Sequence, residues 1–280
     1  MKLIVQPEDG IKPLINAINR AKRSVSIVVF RFDLPELEKA LKAACKRGVD
    51  VHALVAHTTS KGEKKLRKLE SRMLEHGATV ARTDDDMVRY HGKLMIIDKK
   101  TLFVMGFNYT PLDIRASRSL GIVTRNPANV REVQRLIQTD EDRSESFHPR
   151  KSDLVISPEN SRSRLTRFIR KAKRELLIYD SGLTDDKMIA ELMARAKAGV
   201  KIKILGRLEE KWHGQGLKNR KLHMRLHIRA MIRDGRRAFI GSQSMRRLEL
   251  DKRREVGIMV RDVKIVRRLQ RIFMADWKRS

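Results

Sequence analysis

The chain carries a single cysteine, Cys45, in 280 residues. That excludes an intramolecular disulfide and any cysteine-based metal cluster. Cys45 lies in residues 41–46, a helical-looking stretch where a thiol packs as a small apolar group. Long apolar runs are missing too. No segment reaches membrane-spanning length, and Met1-Lys2-Leu3-Ile4-Val5-Gln6-Pro7-Glu8 lacks the apolar stretch of a signal peptide. The expected location is cytoplasmic, with at most a peripheral membrane contact. Aromatic residues are few, at 5%, and no apolar membrane-docking helix stands out. Acidic residues are also short: 34 Asp and Glu stand against 63 Lys and Arg, a net charge of +29. A field of that sign concentrates polyanions, so nucleic acid or an anionic membrane surface is the expected partner. The excess is uneven: residues 1–150 hold 28 basic and 19 acidic residues, and residues 151–280 hold 35 and 15.

What is present fits a globular protein. The apolar fraction is 41%, and the length allows one large domain or two ordinary ones with real cores.

The chain also repeats itself. Pro7-Glu8-Asp9 returns as Pro158-Glu159-Asn160, Ala21-Lys22-Arg23 as Ala172-Lys173-Arg174, and Gly48-Val49 as Gly199-Val200, each 151 positions on. After each Ala-Lys-Arg comes an apolar run, residues 25–30 and 176–179, read as a buried strand. A helix pattern follows (37–47 and 187–198) and stops at Gly48 or Gly199. A second strand comes next, 49–55 and 200–205, so each half reads as a βαβ unit of an α/β layer. The polar segment 139–153 reads as a linker between half 1 (1–138) and half 2 (154–280). An insert at 61–76 in half 1 carries Leu66, Leu69, Met73 and Leu74 at helical spacing, predicting an extra amphipathic helix.

One motif occurs once per half. The first copy is His91-Gly92-Lys93-Leu94-Met95-Ile96-Ile97-Asp98, then Gly106-Phe107-Asn108. The second is His227-Ile228-Arg229-Ala230-Met231-Ile232-Arg233-Asp234, then Gly241-Ser242-Gln243-Ser244, with its histidine 136 positions after the first. Polar and apolar residues alternate over 222–230, which predicts a half-buried strand with His223, Arg225, His227 and Arg229 on one face. Arg89, His91 and Lys93 alternate likewise. Cations crowded on one face repel, and a phosphate diester between them would relieve that. The residue types suit phosphoryl transfer. One histidine can attack phosphorus, another can protonate the leaving oxygen, and Lys or Arg can neutralise the non-bridging oxygens. No metal or other cofactor is expected; His223 and His227 lack the neighbouring carboxylate pattern a metal site would need.

These two copies resemble the phospholipase D superfamily, whose hallmark is His-x-Lys-x4-Asp followed by Gly-x-x-Asn-type residues, usually twice per chain. The stretch from Arg254-Glu255-Val256-Gly257 to Phe273-Met274-Ala275-Asp276-Trp277 is similar to bacterial cardiolipin synthase-like members. The resemblance implies two α/β halves related by pseudo-twofold symmetry, one active site at their interface, and a phosphohistidine released by water or an alcohol. It implies His91 as nucleophile, His227 as general acid, Lys93 and Arg229 as phosphate-binding cations, and Asn108, Gln243 and Ser244 as phosphate contacts. Asp98, Asp234, Gly106 and Gly241 take structural places. Glu255, 28 residues after His227, takes the place of a carboxylate that orients His91.

Three positions depart from the pattern. Arg229 replaces lysine, Gln243 stands in place of asparagine, and Ser119, 28 residues after His91, replaces the carboxylate that would orient His227. His227 is therefore expected to lack a partner. Three functions stay open: hydrolysis or transfer of a phospholipid phosphodiester, a basic nuclease using the loop 211–225 with Trp212 as a base platform or a loop anchor, and a weakened binder of nucleic acid or membrane.

Overall fold

The computed structural model describes residues 1–57, 63–83, 89–142 and 146–280. Half 1 runs β1 (Lys2–Gln6), α1 (Lys12–Asn19), β2 (Ser24–Val29), α2 (Pro35–Lys46), β3 (Asp50–Val55), α3 (Glu63–Glu75), β4 (Thr79–Arg82), β5 (Arg89–Tyr90), β6 (Leu94–Ile97), β7 (Thr101–Met105), α4 (Pro111–Arg115), β8 (Ser117–Thr124) and α5 (Pro127–Asp142). Half 2 runs β9 (Leu154–Ser157), α6 (Ser161–Arg170), β10 (Glu175–Leu183), α7 (Asp186–Lys197), β11 (Lys201–Leu208), β12 (Leu217–Arg220), β13 (Arg225–Leu226), β14 (Arg229–Arg233), β15 (Arg237–Gly241), α8 (Arg247–Asp251), β16 (Arg253–Val260) and α9 (Val263–Lys278).

Each half builds one mixed sheet, in the orders β1-β8-β7-β6-β2-β3-β4 and β12-β11-β10-β14-β15-β16, with β9 also on β16. The expected βαβ units are present: β2 pairs β3 and β10 pairs β11, both parallel, with α2 and α7 as crossovers. The two helices end before Gly48 (φ 77°) and Gly199 (φ 86°), in the left-handed region that a residue without Cβ enters freely. Helix α3 begins at Glu63 within the predicted 61–76 stretch, and residues 61 and 62 lie outside the described residues.

The linker expected over 139–153 differs in its first part. Residues 139–142 form the last turn of α5, because Asp140 is drawn inward by an arginine of the other half (Arg254 Nη2 to Asp140 Oδ1, 2.9 Å). Residues 143–145 lie outside the described residues.

Three apolar clusters make five layers. Helices α1, α2 and α3 cover the outer face of the first sheet, where Cys45 is half-buried. Helices α6 and α7 cover the outer face of the second. The inner faces of both sheets, with α5 and α9 between them, share one core that includes Val28, Leu94, Leu136, Leu177, Ile240 and Phe273. Burying each such side chain stabilises the fold by roughly 1.5–3 kcal/mol relative to exposure.

The halves also trade strands. The two-residue β5 of half 1 joins the second sheet beside β16, and β13 of half 2 joins the first sheet beside β8. Both exchanged strands end directly before a motif histidine, His91 after β5 and His227 after β13.

Candidate active site

The predicted unbroken strand over 222–230 is interrupted. Residues Arg225–Leu226 pair with the first sheet and Arg229–Arg233 with the second, leaving His227 in the crossing between them. The first copy breaks in the same way, with His91, Gly92 and Lys93 between β5 and β6. A chain that changes sheets cannot continue one ladder through the change. Each histidine is instead pinned to the opposite half: His91 N donates to Arg254 O (2.8 Å) and His227 N to Arg118 O (3.1 Å).

Carboxylates are exchanged too. Glu255 Oε2, on β16, lies 2.8 Å from His91 Nδ1. His227 does not lack a partner: Asp113 Oδ2, on α4, lies 3.0 Å from its Nδ1. This pair is close but imperfectly aligned, because Asp113 Oδ2 also accepts the Asn108 backbone N–H (2.8 Å) and side-chain amide (2.7 Å). Ser119 Oγ instead donates to the His227 carbonyl at 3.2 Å. Asp113 lies 22 residues after His91, not the 28 that separate Glu255 from His227, so that spacing does not point to it. It occupies the place that Glu249 takes in half 2: Asp113 sits five residues after Asn108, Glu249 five after Ser244, and each accepts that residue's backbone N–H. Thr110 caps α4 and Pro111 starts it, fixing Asp113 in its first turn.

The cations stand around the same gap. Lys93 is 1% exposed; its Nζ donates to His91 O (2.8 Å) and sits 5.5 Å from the Phe30 ring, which meets His91 edge-on at 4.5 Å between centroids. Arg229 is buried on β14, and its Nε has no hydrogen-bond partner. Asn108 Oδ1 and Glu255 Oε1 are equally unpaired. Unsatisfied buried polar atoms are costly, and the Arg229 Nε–H is a donor that an anion in the gap would satisfy.

Electrostatics agree. Burial, then the charges of Lys93 and Arg229, hold His91 well below its ordinary pKa. Burial also lowers His227, but Asp113 opposes the shift. Burial pushes Lys93 down to about 7 against the pull of Glu255, and lifts Glu255 to about 7 against Lys93. Burial works to raise Asp113, yet contacts to His227 and Arg225 hold it well below the carboxylate range. His91 is thus the more readily neutral imidazole, and His227 the one with a firmly ionised carboxylate behind it. The charges of His227, Lys93 and Arg229 all act on His91, so both motifs meet in one place.

The remaining predicted residues fall elsewhere. Gln243 does not reach the gap; its amide donates to Val155 O (2.8 Å) and Glu255 O (3.2 Å) inside the second sheet. The reason is register: Ser244, not Gln243, stands 136 positions after Asn108, while Gln243 matches the core residue Phe107. Ser244 Oγ is tied to Asp180 Oδ1, which leaves that hydroxyl no free proton for a phosphate. Asp98 and Asp234 sit far from the chemistry, each accepting backbone N–H groups at the start of β2 or β10 (Arg23 N 2.7 Å, Arg174 N 2.8 Å). Gly106 and Gly241 meet where the halves touch; a Cβ on Gly106 would fall 3.0 Å from Gly241 O. Trp212 packs against the half-2 core under Lys211, as a loop anchor. Among the described residues, no group of three His, Cys, Asp or Glu side chains is arranged to hold a metal ion.

The two carboxylate positions carry an expected difference. Asp113→Asn is expected to lower kcat roughly 100-fold, since His227 loses the charge that favours its protonated form. Ser119→Ala is expected to change kcat by less than about threefold, as only one hydrogen bond to a carbonyl is lost. Steady-state kinetics on both variants, with circular dichroism to check folding, test this; the reverse order would exclude Asp113 as the orienting group.

The family profile described as "Cardiolipin synthase, PLD-like domain" matches residues 14–140 and 165–277. Human mitochondrial cardiolipin hydrolase is 27% identical over 161 residues, 56% of this chain and 62% of that protein. The Mus musculus enzyme is 26% identical over 148 residues, 51% and 65%. The chain thus spans under two thirds of the length of these curated relatives. Polyphosphate kinase from Porphyromonas gingivalis superposes with a TM-score of 0.82 at 20% identity, over 99% of this chain and 47% of its own. Phosphatidylserine synthase from Haemophilus influenzae Rd KW20 superposes at 0.74 and 10% identity, over 98% and 85%. Those two likenesses concern the fold, two pseudo-symmetric α/β halves. With a family match over most of its length and both motifs meeting at the junction of the halves, the chain belongs to the phospholipase D superfamily.

Proposed function

We propose that the chain is a phosphodiesterase that hydrolyses or transfers a phospholipid phosphodiester through a phosphohistidine on His91. The observation that carries this is the crossed pairing, His91 with Glu255 and His227 with Asp113, beside the buried cations Lys93 and Arg229. With Glu255 ionised, His91 Nδ1–H donates to it and Nε2 presents its lone pair to phosphorus. As the N–P bond forms, the P–O bond to the leaving alcohol breaks and that oxygen takes the proton from His227. Water, or an acceptor alcohol, then gives a proton to His227 and displaces His91 from phosphorus. Lys93 and Arg229 hold the non-bridging oxygens throughout. The relatives named cardiolipin hydrolase and the family description support a lipid substrate.

The net charge of +29 favours a second reading, a nuclease of the same superfamily. Product analysis with phosphatidylglycerol vesicles and a single-stranded oligonucleotide separates the two. Headgroup release or exchange without strand cleavage supports the lipid reading; strand cleavage alone overturns it, and a steep fall of DNA affinity with salt would mark phosphate contacts. Cytoplasmic location and peripheral membrane contact belong to the same proposal; no described helix is long and apolar enough to cross a membrane.

The site also sets a pH dependence. In the free protein Lys93 is pushed down to about 7 and His227 below its usual value, so Lys93 loses its proton near neutrality and His227 loses its own at lower pH than an ordinary imidazole. A bound anionic diester favours the protonated forms and raises both. The basic limb of kcat is therefore expected at least about one unit above that of kcat/KM. Coincident basic limbs in the two profiles would contradict this account of Lys93 and His227.

A further inference from the structure

A pocket of about 560 Å³ opens on the half-2 side of the catalytic gap. Its walls come from the ends of the parallel strands β10 and β11 and from residues 219–226, the segment that leads directly into His227. Strand register ties it to the site: Asp180 on β10, next to the lining residue Ser181, pairs with Arg229 on β14. Arg225 and His223 stand two and four positions before His227, within about 14 Å of it along an extended chain.

Four cationic or titratable side chains surround this pocket: Arg207, Lys221, His223 and Arg225. Arg225 is committed to Asp113 (2.5 Å) and Ser117 (2.7 Å). Arg207, Lys221 and His223 are exposed, with no hydrogen-bond or ion-pair partner among the described residues. The first half has no such feature at the position equivalent to Arg207, which is the buried Ala56, 151 residues earlier. Leu208, Leu222, Met224 and Leu226 supply the apolar part of the wall. No Phe, Tyr or Trp ring lines it. A strand-binding groove stacks bases on aromatic rings, whereas glycerol and acyl carbons need only an apolar wall.

We propose that this pocket is a second-phosphate subsite: it selects a lipid that carries another phosphate beside the diester being cleaved, and Arg207, Lys221 and His223 bind that group. The proposal rests on the reading of the His91–His227 gap as a lipid phosphodiester site. The unpaired cations provide the attraction, and their placement on one side of the gap fixes which end of the substrate carries the second phosphate.

The test uses the full chain with His91→Asn to prevent turnover. Flotation measures its binding to phosphatidylcholine vesicles doped with either cardiolipin, two phosphates per lipid, or phosphatidylglycerol, one phosphate, at equal total phosphate. The expected result is a preference of at least ~10-fold for the two-phosphate lipid, abolished by Arg207→Ala together with Lys221→Ala. Removing two charges from the outer face of α9, Arg267→Ala with Arg271→Ala, is expected to weaken both lipids alike and leave the ratio unchanged. Three results would overturn the proposal: no preference in the parent, a preference that survives in the Arg207/Lys221 variant, or equal loss for both lipids in that variant. Loss of oligonucleotide affinity in that variant with lipid binding intact would assign the pocket to nucleic acid and also overturn it. Wild-type turnover of bis-p-nitrophenyl phosphate is read in parallel; its absence would sink the catalytic reading, while the vesicle ratio still decides the subsite.

Discussion

Replacing His91 by asparagine is expected to reduce turnover of any phosphodiester by at least ~10³-fold, while the protein stays folded. Asparagine is polar and smaller, so the Glu255 side can relax without an overpacked core. What disappears is the Nε2 lone pair, for which no other described side chain substitutes. His227 cannot take over, because its proton is favoured by an ionised Asp113, whereas His91 is held neutral by burial and by neighbouring Lys93 and Arg229. The measurement is initial rate on bis-p-nitrophenyl phosphate with thermal unfolding recorded on the same preparation. Residual activity above about a tenth of wild type would remove His91 from the nucleophile's role.

The second large effect concerns stability. Arg254 is 2% exposed, and its guanidinium binds Glu159 (2.5 Å), Asp140 (2.9 Å) and Ser157 O (2.9 Å), while Tyr90 Oη donates to Asp140 (2.9 Å). Its pseudo-twofold counterpart Arg118 binds Glu8 (2.6 Å), Asp276 (2.8 Å) and Gln6 O (2.9 Å), with Tyr179 Oη on Asp276 (2.6 Å). These clusters sit behind the histidines, whose backbone N–H groups rest on the two arginine carbonyls. Arg254→Ala leaves two carboxylates facing a buried void and is expected to destabilise the fold by about 3–5 kcal/mol. The loss should depend on pH. Burial lifts Asp140 to about 6 even with Arg254 present; without the arginine it is lifted further. A protonated Asp140 needs no counter-ion, so the penalty is fully present above the variant's raised Asp140 value and shrinks as pH falls from there to about 6. Urea unfolding at pH 8 and pH 5 checks this; equal penalties at the two pH values would show that the cluster acts through packing alone.

The architecture was legible because the chain repeats. Three short matches at one offset, each helix stopping at a glycine, are enough to predict two βαβ layers, and the two sheets carry them. Period-two reasoning failed at the motif itself. It treated residues 222–230 as one strand, whereas the chain passes there from one half's sheet to the other's, and that crossing exposes His227 to the shared gap. Asp113 escaped notice for a related reason. The orienting carboxylate was sought at Ser119, the counterpart of Glu255, but the second half's histidine draws on α4, one element earlier. Comparing Asp113 with Glu249 across the repeat would have raised it as a candidate. Gln243 was misplaced by one position; its side chain turns into the sheet, where Phe107 turns in half 1. The buried Arg118 and Arg254 clusters were invisible, because their carboxylates lie more than 90 residues away in the chain.

The whole account depends on two imidazoles, contributed by separate halves, flanking a single phosphorus atom. Rapid quenching of a radiolabelled diester, followed by alkaline digestion and peptide mapping, reads this most directly. The expected result is label on the peptide containing His91, lost in His91→Asn and accumulating in His227→Asn when the leaving group needs no protonation. Label on the His227 peptide, or turnover of that diester with no covalent adduct in either protein, would contradict it.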